Sequence, residues 1–287
     1  MMNKLVITMT SNAARSISAA GLTDIGLKRD MNEDALLLAD LINFNFSLGA
    51  SINTGHLSGR GALLAVADGM GGAAAGEVAS KLAVTTLREE LADDANGEAM
   101  SLRLIEAVEN TNSRVWEYAQ QHPELRGMGT TLTAAIISNG LAYVAQIGDS
   151  RAYLLRGENI TQVTKDQSLV QRWLDAGILD AEEAQIHQFR NMLTQALGVG
   201  PAVKVALTEF PLYRNDYLLL CSDGLSNKIS PQEMGQTLWK SNSISESCRK
   251  LIDEANQRGG EDNITVIVAR FDEDTPPAGN EEQPAMS

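Results

Sequence analysis

Four aspartates stand at the ends of apolar segments, and this repeated junction constrains the fold more than any other feature of the chain. Each lies within two residues of its segment: Asp68 after residues 63–67, Asp149 after 141–147, Asp223 after 217–221 and Asp262 before 264–271. Apolar runs of this length, bounded by turn-forming residues, predict buried strands. The four carboxylates are therefore predicted at strand ends, where the chain leaves the core and meets solvent.

Turn chemistry is the alternative explanation of each junction, because Asp-Gly pairs such as Asp68-Gly69 are common in hairpins. Four such junctions, however, would gather many carboxylates at sheet edges, with Glu33 and Asp34 as possible additions. Carboxylates in a cluster repel one another and are stable mainly around a cation. A ligand set of oxygens favours Mg²⁺ or Mn²⁺ over zinc, and the three histidines are too isolated in the sequence to indicate a zinc site.

The remaining periodicity predicts one domain of antiparallel sheets flanked by helices. The strand before Asp68 is predicted to begin at residue 62, and further strands are predicted at residues 17–24, 35–39, 130–137, 151–155, 160–163 and 203–207. Helices are predicted at residues 77–92, 98–121, 231–240 and 245–257. The last pair of helices begins with a capping box, Ser230 to Glu233. Residues 41–59 are predicted as a long hairpin loop, and 165–200 as a helical insertion at the sheet edge, outside the main core. We expect a flexible segment at 1–16, the folded domain at 17–271 and a disordered acidic tail at 272–287.

Composition excludes several classes of function. A formal net charge of −14 opposes nucleic-acid binding. The chain contains no run of about 18 apolar residues, so no membrane span is predicted. The N-terminus also lacks the pattern of a secretory signal. The two cysteines, Cys221 and Cys248, give no disulfide framework. These features predict a cytoplasmic protein with reduced thiols, and we expect a monomer.

A pair of hard cations held by carboxylates commonly activates water and binds phosphoryl oxygens. Such a site also needs a side chain that holds the phosphate, and the planar guanidinium of arginine suits a bidentate contact. Arg29, four residues before Glu33, is the candidate. An ordinary surface arginine in a polar loop explains Arg29 equally well at this point.

Six short motifs together resemble the metal-dependent type 2C family of Ser/Thr protein phosphatases, in its bacterial branch. They run in the family's order: Arg29 with Asn32-Glu33-Asp34, Ala67-Asp68-Gly69-Met70-Gly71-Gly72, Gly129-Thr130-Thr131, Ile147-Gly148-Asp149-Ser150-Arg151, Ser222-Asp223-Gly224-Leu225 and Gly260-Glu261-Asp262-Asn263. Each motif is short, but six in order, covering residues 20–271, are specific. The resemblance implies an α+β fold, a four-layer α/β/β/α sandwich of two packed antiparallel sheets flanked by helix pairs.

The resemblance also implies a hydrolase that dephosphorylates serine and threonine, uses two or three Mn²⁺ or Mg²⁺ ions, and reverses a cognate Ser/Thr kinase in signalling. A metal-bridging hydroxide would attack phosphorus in line, without a phosphoenzyme. The implied roles are Asp68 as the bridging ligand, the Gly69 carbonyl as a further ligand, Asp223 and Asp262 on the second ion, Glu33 and Asp34 through bound water, Asp149 with Asp223 on a third ion, and Arg29 on the substrate phosphate.

One position departs from some members of the family. Those members carry His after the metal-binding Asp-Gly, whereas Met70 stands there in this chain. A serine alkoxide is a poor leaving group and must be protonated, so a metal-bound water is the expected acid. Residues 165–200 correspond to the family's variable flap, where substrate preference is expected to reside, and the loop 41–59 is longer than usual for bacterial members.

Three other functions compete with this interpretation. A cysteine-based phosphatase would need a phosphate loop ending in arginine after the thiolate, and Asn227 stands six residues after Cys221. A non-catalytic phosphoprotein-binding scaffold would have lost some of the acids, which are all present. A metal-dependent phosphatase of a small phosphorylated metabolite is not separated from a protein phosphatase by the sequence.

Overall fold

The computed structural model describes residues 16–41, 45–48, 55–58, 61–92 and 99–272. In these residues the strands are β1 (Ser16–Asp24), β2 (Asp34–Asp40), β3 (Asn45–Leu48), β4 (Gly55–Ser58), β5 (Ala62–Met70), β6 (Gly129–Thr130), β7 (Leu132–Ser138), β8 (Leu141–Ile147), β9 (Arg151–Arg156), β10 (Asn159–Gln162), β11 (Ala206–Pro211), β12 (Tyr217–Cys221) and β13 (Ile264–Phe271). The helices are α1 (Ala73–Ala92), α2 (Met100–Gln121), α3 (Leu169–Asp175), α4 (Ala181–Ile186), α5 (Asp223–Ser226), α6 (Pro231–Lys240) and α7 (Ile244–Gln257). Apart from Ser16 and Asp272, the predicted flexible N-terminus and acidic tail lie outside the described residues.

The strands form two antiparallel sheets. One has the order β10-β9-β12-β13-β1-β4, and the other has the order β11-β8-β7-β5-β2-β3, with the short β6 paired to the end of β5. Strand β13 pairs with β1 on one side and with β12 on the other, so the last strand of the described chain lies in the middle of its sheet. Strand β5 lies in the middle of the second sheet, between β2 and β7.

Three apolar layers hold the sandwich together. Side chains such as Leu36, Leu64 and Ile267 fill the space between the two sheets. Leu37 and Leu63, their neighbours in the chain, belong to the layer that includes residues of α1 and α2, because successive side chains of a strand point to opposite faces. A third layer joins the other sheet to α6 and α7. The predicted four-layer α/β/β/α fold is confirmed, and burial of both faces explains why the central strands are continuously apolar.

Helix α1 begins at Ala73, four residues before the predicted start at residue 77. The prediction placed Gly76 just before the helix, but Gly76 lies inside its first turns. A Cβ at Gly76 would stand only 2.9 Å from the backbone carbon of Gly69 and from Glu33 Cδ. The glycine therefore serves close packing of α1 on the end of β5, which outweighs its low intrinsic helix propensity.

Two predicted strands differ from the structure. The strand expected at residues 203–207 is wrong in position, because β11 runs from Ala206 to Pro211. Lys204 is instead held outside the sheet by Gln195, whose Oε1 accepts the Lys204 N–H at 2.7 Å. The strand expected at 130–137 is interrupted at Thr131, whose backbone N–H donates to the carbonyl of Asp68 at 2.9 Å.

The two predicted irregular regions also need correction. Within 41–59, the described residues form β3 and β4, which extend opposite sheets by pairing with β2 and β1. Within 165–200, only α3 and α4 are helical, and Leu197 is fully buried in the core layer beneath α1 and α2. The segment 165–200 is therefore partly anchored in the main core and is not simply an insertion at the sheet edge.

The second pair of helices, α6 and α7, agrees with the prediction. Helix α6 begins at the capping box, in which the Ser230 and Glu233 side chains and backbone groups bond reciprocally. Glu233 also accepts a hydrogen bond from Arg258 at 2.7 Å, just beyond the end of α7, and this links the two helices. No helix in the described residues combines the length and apolar character that crossing a membrane requires.

Candidate active site

A cleft of about 680 Å³ opens where strand ends of both sheets meet. Strand β5 delivers Asp68 to it, and the turns after β8 and β12 and before β13 deliver Asp149, Asp223 and Asp262. Of the eight residues predicted for the site, seven line this cleft: Arg29, Glu33, Asp68, Gly69, Asp149, Asp223 and Asp262. Side chains separated by up to 233 positions in the sequence are thus brought to one place by the packing of the two sheets.

Asp34 is the one predicted site residue that does not line the cleft. It lies opposite Asp68 in the register of β2 and β5 and is only 5% exposed. Its Oδ2 accepts hydrogen bonds from Ser222 Oγ at 2.7 Å and Thr265 Oγ1 at 2.6 Å. Its other oxygen, Oδ1, is buried without a hydrogen-bond partner. Asp34 therefore forms the layer directly beneath the cleft floor.

Burial and mutual repulsion raise the pKa values of these carboxyls. The pKa of Asp68 is held well above its ordinary range by burial and by the charges of Asp34, Asp223, Asp149 and Asp262. Burial and nearby carboxylates raise the pKa of Asp34 to about 7 and that of Asp149 to about 8. Burial and the charge of Asp262 also raise the pKa of Asp223. The cluster therefore holds more negative charge than it can stabilise alone, and either protons or cations must neutralise it.

The donor atoms fit hard divalent cations. Asp223 Oδ1, like Asp34 Oδ1, is buried without a hydrogen-bond partner, whereas Asp223 Oδ2 accepts from Asn227 Nδ2 at 3.1 Å. Carboxylate and carbonyl oxygens are the ligands that Mg²⁺ and Mn²⁺ prefer. In the described parts of the chain, no group of three or more Asp, Glu, His or Cys side chains is already arranged as a metal site. The fit to Mg²⁺ or Mn²⁺ therefore rests on the type of donor atom and on the unpartnered carboxylate oxygens of Asp34 and Asp223.

Gly69 is required at its position by close packing of the backbone. Its N–H donates to the carbonyl of Glu33 at 3.1 Å, and a Cβ there would collide with the carbonyl oxygens of Gly76 and Glu33. Any larger residue would separate β5 from the loop that carries Glu33. The absence of a side chain leaves backbone atoms at the surface of the cleft, beside Asp68.

Arg29 reaches into the cleft from the loop after β1. Its Nη2 donates to Asp262 Oδ2 at 2.8 Å, and about half of the Arg29 side chain is exposed. A guanidinium at the mouth of an acidic cleft is placed to bind an anion that enters it. The pairing also means that Asp262 is partly neutralised by Arg29 in the protein without cations.

The sequence did not indicate the residues that hold the loops of the cleft in place. Asn263 links two of them: its Oδ1 accepts the Glu33 N–H at 2.8 Å, and its Nδ2 donates to the Met31 carbonyl at 2.9 Å. Gln167 holds the turn before Asp149, because its Oε1 accepts the Gly148 N–H at 2.9 Å while its own N–H donates back to the Gly148 carbonyl at 2.8 Å. Asn263 was identifiable only as part of a motif, and nothing in the sequence pattern indicated Gln167.

The position at which some relatives carry histidine is exposed at the cleft. Met70 ends β5, lines the cleft and is 38% exposed. A thioether carries no ionisable proton, so Met70 does not serve as a general acid. Among the residues that line the cleft there is no histidine.

Both cysteines are buried away from the cleft lining. Cys221 and Cys248 are fully buried, and burial raises the pKa of each thiol to about 12. A thiol with such a pKa is almost entirely protonated at neutral pH and is a poor nucleophile. The geometry therefore disfavours a cysteine-based phosphatase.

The double variant Cys221→Ala, Cys248→Ala is expected to keep the phosphatase activity of the unmodified protein within about twofold, since neither thiol takes part in the chemistry. Its melting temperature is expected to fall, because two buried side chains lose packing contacts. Steady-state hydrolysis of p-nitrophenyl phosphate, together with calorimetry to confirm folding, measures both. A folded but inactive double variant would return a thiol mechanism to consideration.

Comparisons with known proteins agree with the geometry. The profile of the family described as Protein phosphatase 2C matches residues 52–264. Over 209 residues the chain is 41% identical to the serine/threonine phosphatase stp of Listeria welshimeri, an alignment that covers 72% of this chain and 83% of that protein. The crystal structure of the Mycobacterium tuberculosis serine/threonine phosphatase PstP/Ppp is similar with a TM-score of 0.76 at 38% identity, over 90% of this chain and 99% of that one. A structure of the PstP catalytic domain in complex with two manganese ions is similar with a TM-score of 0.74 at 37% identity, over 90% of this chain and 100% of that one.

Proposed function

This chain belongs to the protein phosphatase 2C family, and from that premise we propose that it is a metal-dependent phosphatase of phosphoserine and phosphothreonine in proteins. The observation that carries the proposal is the cleft itself, in which carboxylates from four strand ends surround a space reached by Arg29. A phosphate monoester is a dianion, and such a cleft attracts it only when bound cations reverse the local charge.

The residues that would hold the cations are those whose oxygen atoms line the cleft or lie directly beneath it. Asp68 would contribute to two ions and the Gly69 carbonyl to one of them, Asp223 and Asp262 would hold the other, and Glu33 and Asp34 would act through water. Asp149 with Asp223 would hold a third ion. Bound Mn²⁺ or Mg²⁺ would supply a Lewis acid that activates water and neutralises phosphoryl charge. The raised pKa values of Asp68 and Asp149 support these assignments, because they mark where positive charge is needed.

The protein's own groups would bind and orient the ester. Arg29 would exchange its contact with Asp262 for the phosphate oxygens. Met70 has no proton to give to the departing serine or threonine oxygen. We therefore expect that proton to come from water in the cleft, as the sequence departure at this position implied.

Several finer points are part of the same proposal. The unit of function is the domain 17–271, with 165–200 as its flap. We propose that it acts as a monomer in the cytoplasm and opposes a Ser/Thr kinase. The buried, unpaired thiols of Cys221 and Cys248 support a reducing compartment.

A panel of substrates tests the proposed function. Phosphoserine, phosphothreonine and phosphotyrosine peptides and a set of sugar and nucleoside phosphates would be assayed with Mn²⁺, with Mg²⁺ and with a chelator. We expect turnover of the phosphoserine and phosphothreonine peptides with either metal and none with the chelator. Turnover confined to the small metabolites would favour the alternative function, and metal-independent turnover would contradict the metal assignment.

Replacing Arg29 with Ala is expected to lower kcat/KM by about 10- to 100-fold, mainly through KM, because a charge-assisted contact to the phosphate is lost. Mn²⁺ affinity measured by calorimetry should persist or increase, since Asp262 loses the cation that competes for it. Arg114→Ala, at an exposed position of α2, is the matched control and should behave as the unmodified protein. A collapse of Mn²⁺ affinity in Arg29→Ala would show that Arg29 supports the metal ligands instead.

A further inference from the structure

Three exposed methionines line the cleft. Met31, Met70 and Met192 all line it and are 38%, 38% and 49% exposed. They are the exposed methionines of the described residues, whereas Met128 and Met234 are fully buried. Because the three come from the loop after β1, the end of β5 and the segment after α4, their presence in one cleft is a product of the fold and not of local sequence.

The backbone of each methionine is fixed while its side chain is exposed. The Met31 carbonyl accepts from Asn263 Nδ2 at 2.9 Å. Met70 pairs in register with Gly129 of β6. The Met192 carbonyl accepts from the Leu169 N–H at 2.8 Å. The cleft therefore presents flexible thioether side chains from rigid positions.

The apolar surface continues beyond Met70. A Cβ placed on Gly129 would lie 3.4 Å from Met70 Cγ and 2.8 Å from Val199 Cγ2. The side chains of Met70 and Val199 therefore both lie next to Gly129. Val199 is 53% exposed. Apolar side chains that are exposed together at a cleft commonly mark a binding surface, and here they adjoin the acidic floor.

From this arrangement we propose that the methionine rim, defined as Met31, Met70 and Met192, binds an apolar side chain directly next to the phosphorylated residue of the substrate. The inference rests on the proposed phosphatase function and names its substrate class: phosphopeptides with an aliphatic neighbour. A phosphoryl group held at the floor of the cleft leaves its flanking residues at the rim.

The chemistry of the rim also predicts how selective it is. Methionine side chains are unbranched and polarisable and adapt to ligands of different shape. The rim should therefore accept Leu, Ile, Met or Phe with similar efficiency and disfavour a small polar neighbour. An acidic neighbour should be the worst, because a carboxylate loses hydration against thioether side chains and the protein as a whole carries negative charge.

The test compares phosphothreonine peptides that differ only in the two residues flanking the phosphothreonine, which are Leu, Ser, Glu or Lys. Measurements with Mn²⁺ at high ionic strength screen the general attraction of a basic peptide to an acidic protein. We expect kcat/KM for the Leu peptide to exceed that for the Ser peptide by about tenfold. In the variants Met31→Gln and Met192→Gln the ratio between the two peptides should fall toward about 2.

The matched control is Ile178→Gln, which removes an apolar side chain that is 65% exposed in the segment 165–200 but does not line the cleft. Its Leu-to-Ser ratio should equal that of the unmodified protein. Two results would overturn the rim assignment but leave the proposed function in place. One is efficient hydrolysis of all peptides with a Leu-to-Ser ratio near 1, and the other is a Leu-to-Ser ratio that is retained in both methionine variants. Failure to hydrolyse any phosphopeptide would overturn it together with the proposed function.

Discussion

Replacing Asp68 with Asn is expected to reduce Mn²⁺-dependent hydrolysis of p-nitrophenyl phosphate by about 10³-fold or more. The substitution keeps the shape of the side chain and removes only its charge. Asp68 is the carboxyl on which the charges of Asp34, Asp149, Asp223 and Asp262 all converge. A cation held there loses its most central ligand, so binding and activation of the ester should fail together.

Loss of activity alone would not separate a metal ligand from a structural residue, so the stability of the same variant is part of the prediction. Without metal, Asp68→Asn should unfold at the same temperature as the unmodified protein or at a higher one, because folding no longer has to protonate or desolvate a carboxyl among other carboxylates. Asp175→Asn, an exposed substitution on α3, should change neither quantity. Substantial Mn²⁺-dependent turnover by Asp68→Asn would contradict the proposed role.

The protein freed of metal by a chelator is expected to lose stability as the pH rises, by an amount on the order of a few kcal/mol. Asp34 and Asp149 have pKa values of about 7 and about 8 in the folded protein, whereas an unfolded aspartate titrates near pH 4. Between these values the folded protein retains protons that the unfolded chain has released. The stabilisation is therefore complete below about pH 4 and disappears as the pH passes about 7 to 8.

Added Mn²⁺ should reverse this trend, since a cation replaces the protons and binds more tightly as the pH rises. At about 100 times its Kd, one bound ion contributes about 2.7 kcal/mol. For two ions in a domain of this size, the expected rise in Tm is about 10 °C or more. Calorimetry from about pH 5 to 9, with chelator and with Mn²⁺, measures both effects.

The control for this prediction is the Asp68→Asn variant, in which both the pH dependence without metal and the gain from Mn²⁺ should shrink. A Tm that is independent of pH in the presence of chelator would contradict the charge repulsion inferred for the cleft. An equal Mn²⁺ effect in the unmodified protein and in Asp68→Asn would show that the ions bind elsewhere.

The sequence predicted which carboxylates come together in the cleft better than it predicted several elements around them. Asp68, Asp149, Asp223 and Asp262 were found because each stands at a boundary between an apolar strand and a polar turn, and such boundaries are local features. The four-layer fold followed from the resemblance, whereas the pattern of predicted strands and helices indicated only antiparallel sheets flanked by helices. What failed were boundaries decided by distant contacts, such as the start of α1, where Gly76 packs against Gly69.

The structure also revealed features that no local pattern indicates. Asp34 lies beneath the cleft because Ser222 and Thr265, about 190 and 230 positions away, bond its carboxylate. Gln167 holds the turn before Asp149 through contacts that depend on how the segment 165–200 returns to the sheet. The methionine rim likewise exists only after folding. Long-range pairings of this kind cannot be predicted from the residue types alone, because many glutamines, threonines and methionines of the chain are equally suited to them.

The most direct measurement is anomalous diffraction from crystals of this protein soaked with Mn²⁺. We expect two manganese peaks in the cleft that share Asp68 as a ligand, one of them beside the Gly69 carbonyl and the other beside Asp223 and Asp262. Manganese peaks absent from the cleft in crystals of an active preparation, with Asp68 bound to no ion, would contradict this expectation.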